Sequence, residues 1–134
     1  MKDSKLTQIV KEGIYGKPEL RPEEKHLFLG TFAERVYLAL TNGQVYKAGM
    51  YEEAIDLIKR HSDIRLLING NLPYTSYSNY VKEAGRLKVP FTVHNDFHFT
   101  PLGIVLTSDY KPVQKSYIYI EDDIFERDME EAEV

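Results

Sequence analysis

The sequence contains no cysteine. Disulfides, zinc–thiolate centres and cysteine nucleophiles are therefore excluded. No run approaches the roughly 20 consecutive apolar residues needed to span a bilayer. No apolar stretch follows the first lysines, as a secretory leader would require. A soluble, cytoplasmic chain without a membrane partner is the expectation. Three catalytic signatures are also missing: a Gly-rich phosphate loop, a Gly-x-Ser-x-Gly elbow and a His-Glu-x-x-His pair. No catalytic residue, cofactor or resident metal is assigned from sequence.

What is present is enough for one domain. The chain has 134 residues, and its apolar fraction of 43% suits a folded core rather than disorder. The net charge of −4 is unevenly spread. Residues 121–134 hold eight acids and one base, a net of −7, which leaves +3 on the remainder. That small excess argues weakly for nucleic acid, which is not an expected partner. The expected division is an N-terminal arm over 1–29, a core over 30–121 and an acidic, frayed tail over 122–134.

In the arm, Gly13, Gly16, Pro18 and Pro22 interrupt regular structure, while Tyr15 and Leu27-Phe28-Leu29 are apolar anchors. Thr31 to Thr41 reads as a helix. Thr31 and Glu34 have capping-box spacing, Phe32, Val36, Ala39 and Leu40 form one stripe, and Asn42-Gly43 is the stop. Gln44 to Ala48 is a short strand candidate. Tyr51 to Arg60 is a second helix, with Glu52 and Glu53 in its first turn and Lys59 and Arg60 in its last, the order that opposes the helix dipole.

Ile64-Arg65-Leu66-Leu67-Ile68-Asn69-Gly70 then reads as the central strand, its apolar character suiting burial on both faces. Tyr77 to Leu87 reads as a helix whose tyrosines face the sheet, and Phe91 to His94 as a strand. Pro101 to Thr107 reads as a short helix opened by Thr100-Pro101, with a strand left open by the β-branched Ile104 and Val105. Tyr117 to Ile120 is the last strand expected. This alternation points to an α/β fold: a sheet with helices on both faces.

Several segments together resemble the YueI-like family of small bacterial proteins of unknown function. They are Gly13-Ile14-Tyr15-Gly16, Phe28-Leu29-Gly30-Thr31, Glu34-Arg35-Val36, Leu38-Ala39-Leu40-Thr41, Leu66-Leu67-Ile68-Asn69-Gly70, Val89-Pro90-Phe91, Thr100-Pro101-Leu102-Gly103-Ile104-Val105 and Tyr119-Ile120. The resemblance implies a mixed four-stranded sheet flanked by helices, similar to chorismate-mutase-like and ribosomal L30e/L7Ae-like folds. The latter similarity implies RNA binding through Lys47-Ala48-Gly49-Met50-Tyr51-Glu52-Glu53. Gly49 and Glu52 fit that pattern, but Ala54 or Ile55 stands where a phosphate-binding lysine is expected.

Ligands in open α/β sheets sit beyond the carboxyl ends of the strands. Lys47, Asn69, Asn71, His94, Asn95, Asp96 and His98 would line such a rim, and they are the candidate ligand-binding residues. His94, Asp96 and His98 would share a face if extended, but the nearby turn and Phe97 and Phe99 argue against a metal site. His26 and His61 read as isolated and solvent-facing. The expected function is a non-catalytic binding module for a small polar ligand or a protein partner at the carboxyl-end rim of the sheet; the alternatives are an RNA-binding protein, by the resemblance above, and an enzyme of unassigned chemistry.

Overall fold

The computed structural model describes residues 25–95, 100–113 and 117–132. A 3₁₀ turn, Ala33–Arg35, leads into β1, Val36–Thr41. Two helices follow, α1 (Asn42–Tyr46) and α2 (Glu52–Arg60), then β2 (Ile64–Asn69), α3 (Tyr74–Arg86) and β3 (Phe91–His94). The chain closes with β4 (Leu102–Ser108) and α4 (Asp123–Ala132). Most of the N-terminal arm, Tyr15 included, lies outside the described residues.

The four strands form one mixed sheet in the order β1-β4-β2-β3. β4 runs antiparallel to both β1 and β2, whereas β2 and β3 are parallel. β2 is thus interior, as its apolar run predicts. Ile64, Leu66 and Ile68 join the core under α1, α2 and α3, while Leu67 joins the opposite layer with Phe125, Met129 and Leu27 to Leu29. Helices therefore cover both faces. Leu27, Phe28 and Leu29 have no exposed surface, so this end of the arm is anchored.

Several sequence expectations are corrected. Thr31 to Thr41 is mainly strand: all six residues of β1 are buried, and a doubly covered strand carries an unbroken apolar run that imitates a helical stripe. The Thr31 hydroxyl pairs with Thr107 across the layer instead of capping a helix. Asn42-Gly43 opens a helix rather than closing one. Thr41 is its N-cap, and Thr41 and Gln44 form a reciprocal capping box, so the expected strand over 44–48 is absent.

Residues 101–107 are strand, not helix. Every residue of β4 is buried between two neighbours, and the Thr100 hydroxyl donates to the Leu27 carbonyl. The Tyr117–Ile120 strand reduces to one parallel bridge, Ala39 with Tyr119, because the Gln44 side chain takes the Ile120 carbonyl and Asp122 starts the next helix. The acidic tail is not frayed over 123–132. Phe125 and Met129, one turn apart, are each 1% exposed on the sheet's second face. The remaining helices, α2 and α3, fall where the sequence puts them within a few residues. No helix among the described residues is long and apolar enough to cross a membrane.

Candidate functional site

The carboxyl ends of β1, β2 and β3 and the start of β4 share one end of the sheet. Of the expected rim residues, Asn69, Asn71, His94 and Asn95 do gather there. Asn69 is only 3% exposed and its amide is committed. The Asn69 amide nitrogen donates to the Leu102 carbonyl at 3.2 Å and to Asn42 Oδ1 at 3.5 Å. Its oxygen accepts from the Asn71 backbone at 3.0 Å. Asn42 in turn donates to the Thr100 and Pro101 carbonyls. This is a polar clamp that joins the exits of β1 and β2 to the entry of β4.

Gly70 completes it. A Cβ there would lie 1.9 Å from Asn95 Oδ1 and 2.8 Å from the His94 carbonyl, so the backbones meet only because the residue is glycine. Lys47 leaves the strand-end row, since it caps α1 and holds its ammonium 4.7 Å from the centre of the Tyr51 ring. The stretch 47–53 consequently follows a helix, not the first strand that the RNA-binding resemblance requires. Asp96 and His98 lie outside the described residues. Among the described residues no group of three His, Asp or Glu side chains is arranged to hold a metal. A cleft of about 80 Å³ at this end is lined by Asn42, Pro101, Asp128 and Glu131.

The opposite end of the sheet holds more space. A cavity of about 450 Å³ is lined by Tyr37, Leu57, Arg60, His61, Lys111, Pro112 and Val113. Its walls follow from local sequence. The basic last turn of α2 delivers Arg60, and the chain then leaves the helix at His61, which is extended. His61 is not isolated: its ring stacks on Tyr37 with centroids 4.4 Å apart. On the far wall, the Ser108 hydroxyl accepts the Tyr110 and Lys111 amides, and the Val113 amide donates to the Glu34 carbonyl. These bonds fix Lys111, Pro112 and Val113.

Asp63 lies behind the tyrosine, 7% exposed. The Tyr37 hydroxyl sits 3.0 and 3.1 Å from its two oxygens and donates to them. Burial raises the Asp63 carboxyl, but hydrogen bonds from Ser108 and Tyr37 and the charge of Lys111 outweigh it, and the group stays below the usual aspartate range. Burial, and then the neighbouring carboxylate, push the Tyr37 phenol up to about 12. The phenol is thus a fixed neutral donor, unsuited to act as base or nucleophile.

A second cavity, about 280 Å³, adjoins the first and shares Arg60 and His61 with it. Ile58, Lys59, Ser62, Leu87, Lys88 and Val89 complete its lining. Lys88 has φ +62°. It ends α3 in a Schellman motif, with Val89 N–H donating to the Ala84 carbonyl and Lys88 N–H to that of Gly85. That position favours glycine. Sequence reasoning missed this whole end. The signal for it is the basic cluster Lys59-Arg60-His61, of which the sequence assigns Lys59 and Arg60 to the helix dipole and leaves His61 isolated.

The comparisons with known proteins agree on kind. The sequence model of a family described as "Protein of unknown function (DUF1694)" matches residues 3–119. The chain is 47% identical over 128 residues to the uncharacterized protein YueI of Bacillus subtilis (strain 168), covering 95% of this chain and 96% of that one. The crystal structure of the YueI protein from Bacillus subtilis matches with a TM-score of 0.82 at 46% identity, over 93% of this chain and 98% of the other.

Proposed function

This chain belongs to the DUF1694 family, whose function is unknown, and we propose that it is a non-catalytic binding module for a small anionic molecule held in the Tyr37–Arg60–His61–Lys111 cavity. The observation that carries this reading is the lining of that cavity. Its volume of about 450 Å³ falls within the range of about 300–1,000 Å³ usual for small-molecule sites. Leu57, Pro112 and Val113 give an apolar wall, and Arg60 and Lys111 give two cations. The nearby acid, Asp63, is already engaged by Tyr37. A guanidinium and an ammonium beside an apolar wall attract an anion, and the wall holds the body that carries it.

The carboxyl-end rim supports a ligand less well, because Asn69 and Asn42 spend their amides on backbone carbonyls and on each other. The stretch expected for RNA, 47–53, lines neither of the two cavities at the opposite end.

Calorimetry and thermal shift on the full chain, with a panel of anionic metabolites, test the proposal. A stabilising ligand is expected to lose at least about tenfold in affinity, about 1.4 kcal/mol, in Arg60→Glu and in Lys111→Glu. A ligand indifferent to both changes but lost in His94→Ala or Asn95→Ala would move the site to the rim and overturn the proposal. Salt-dependent RNA retention on filters that Lys47→Glu abolishes and Arg60→Glu does not would replace it with the RNA reading.

A further inference from the structure

We infer that the two cavities at the amino end of the sheet are subsites for one ligand, a phosphate monoester whose apolar or aromatic body fills the larger and whose phosphate enters the smaller. This rests on the proposed anion-binding role and specifies its ligand.

The first reason is adjacency. Arg60 and His61 line both cavities, so the two lie side by side at the end of α2. The smaller space, at about 280 Å³, falls short of the usual ligand range of about 300–1,000 Å³, whereas the larger lies inside it. One elongated molecule suits the pair better than two.

The second reason is the division of chemistry. Tyr37, Leu57, Pro112 and Val113 make the larger space the more apolar of the two, with Arg60, His61 and Lys111 at its cationic side. Lys59, Arg60 and Lys88, with the Ser62 hydroxyl, bring three cations and a further donor to the smaller. Two helix ends oppose an anion there, since Lys59 and Arg60 end α2 and Lys88 follows α3. Each such end carries roughly half a negative charge. Three full positive charges exceed the two half charges by about +2, a match for a phosphate dianion rather than a single carboxylate. Glu83 feels the charge of Lys59 but is already held by Arg86.

The third reason is Lys88 itself. A Schellman position at φ +62° favours glycine, yet it holds a lysine that lines the cavity. A locally unfavourable residue that supplies a cation to a pocket is the pattern expected where binding outweighs stability.

The test uses the full chain and four probes: phenyl phosphate, adenosine monophosphate, inorganic phosphate and phenol. At least one monoester is expected to bind about tenfold or more tightly than inorganic phosphate and than phenol. Lys88→Gly should weaken that monoester at least about fivefold, by loss of one charge-assisted contact, while raising the melting temperature of the free protein. Val113→Trp, which fills the larger space, should weaken the monoester and spare inorganic phosphate. Monoester binding that is lost in Arg60→Glu but unchanged in Lys88→Gly and Lys59→Gln would overturn the two-subsite assignment and leave the anion site standing. Binding unaffected by Arg60→Glu would overturn both. No monoester binding at millimolar concentration would also overturn the inference, and carboxylate ligands lost in Arg60→Glu would then still support the anion site.

Discussion

The imidazole of His61 lies against the ring of Tyr37, with centroids 4.4 Å apart and planes 29° from parallel. Behind it the phenol donates to the buried carboxylate of Asp63. Tyr37, the second residue of β1, is thereby fixed to the loop that leaves α2. That loop lines both cavities, so the tyrosine ties the core of the sheet to the shape of the candidate site.

Tyr37→Phe is expected to cost about 1–3 kcal/mol, because Asp63 keeps its burial and loses a donor. The pH dependence should change as well. Asp63 titrates lower in the folded protein than the ordinary 3.8. Its contribution is therefore present above pH 3.8 and is lost as pH falls below that value. Tyr37, raised from 10.0 to about 12, contributes below pH 10 and loses its contribution as pH rises towards 12. Urea unfolding across pH should show the wild type weakening at both extremes, and the phenylalanine variant with a shallower alkaline limb, since Tyr51 and Tyr80 are also raised and keep their share. An unchanged alkaline limb would count against the pairing.

Lys88→Gly should stabilise the protein by about 1 kcal/mol, since glycine meets no Cβ penalty in the left-handed region. Lys88→Ala, which keeps the Cβ, should be near neutral. Thermal unfolding of the two variants separates the backbone effect from loss of charge. Equal melting temperatures would show that the lysine is not under strain.

Gln44→Leu should cost about 2–4 kcal/mol, as several buried groups lose partners at once. The Gln44 side-chain oxygen accepts from the Thr41 amide, and its nitrogen donates to the Ile120 carbonyl and to Asp122. Asp122 also accepts from Tyr51 at 2.6 Å and caps α4 through the Phe125 amide. Hydrogen exchange in residues 118–125 should accelerate before the rest of the sheet opens. Protection that falls uniformly would mean that this junction does not open by itself.

Asn69→Ala should destabilise by about 1–3 kcal/mol through the orphaned Leu102 carbonyl and Asn71 amide. Ligand affinity at the far cavity should stay within about twofold once folding is accounted for, because distant sites act nearly independently. A large loss of affinity with little loss of stability would return the site to the rim.

Sequence pattern was most informative where one period was unambiguous. α2 carries its apolar residues on one face and its charges in dipole order, and Ile64 to Ile68, a short apolar run closed by Asn69-Gly70, has the length and stop of a covered strand. It failed at Val36 to Thr41 and at Leu102 to Ser108, both buried on two sides, where periodicity cannot separate strand from helix. Asn42-Gly43 has the dipeptide preference of a stop, but Thr41 and Gln44 around it have the three-residue spacing of a helix start, and that spacing prevails. In the tail, a charge count hid the pair Phe125 and Met129. The candidate cavities escaped notice for a different reason. They join residues from β1, α2, the end of α3 and the segment after β4, and no local pattern reports that meeting.

β4 lies between β1 and β2, although both are made before it. During synthesis, β2 and β3 can pair as soon as β3 has emerged, since they are consecutive strands and neighbours in the sheet. β1 has no named strand beside it until β4, Leu102–Ser108, has left the ribosome. Its hydrophobic surface must therefore wait through about half the chain for its partner. A nascent chain that stalls before Leu102 holds two halves of a sheet with nothing to join them.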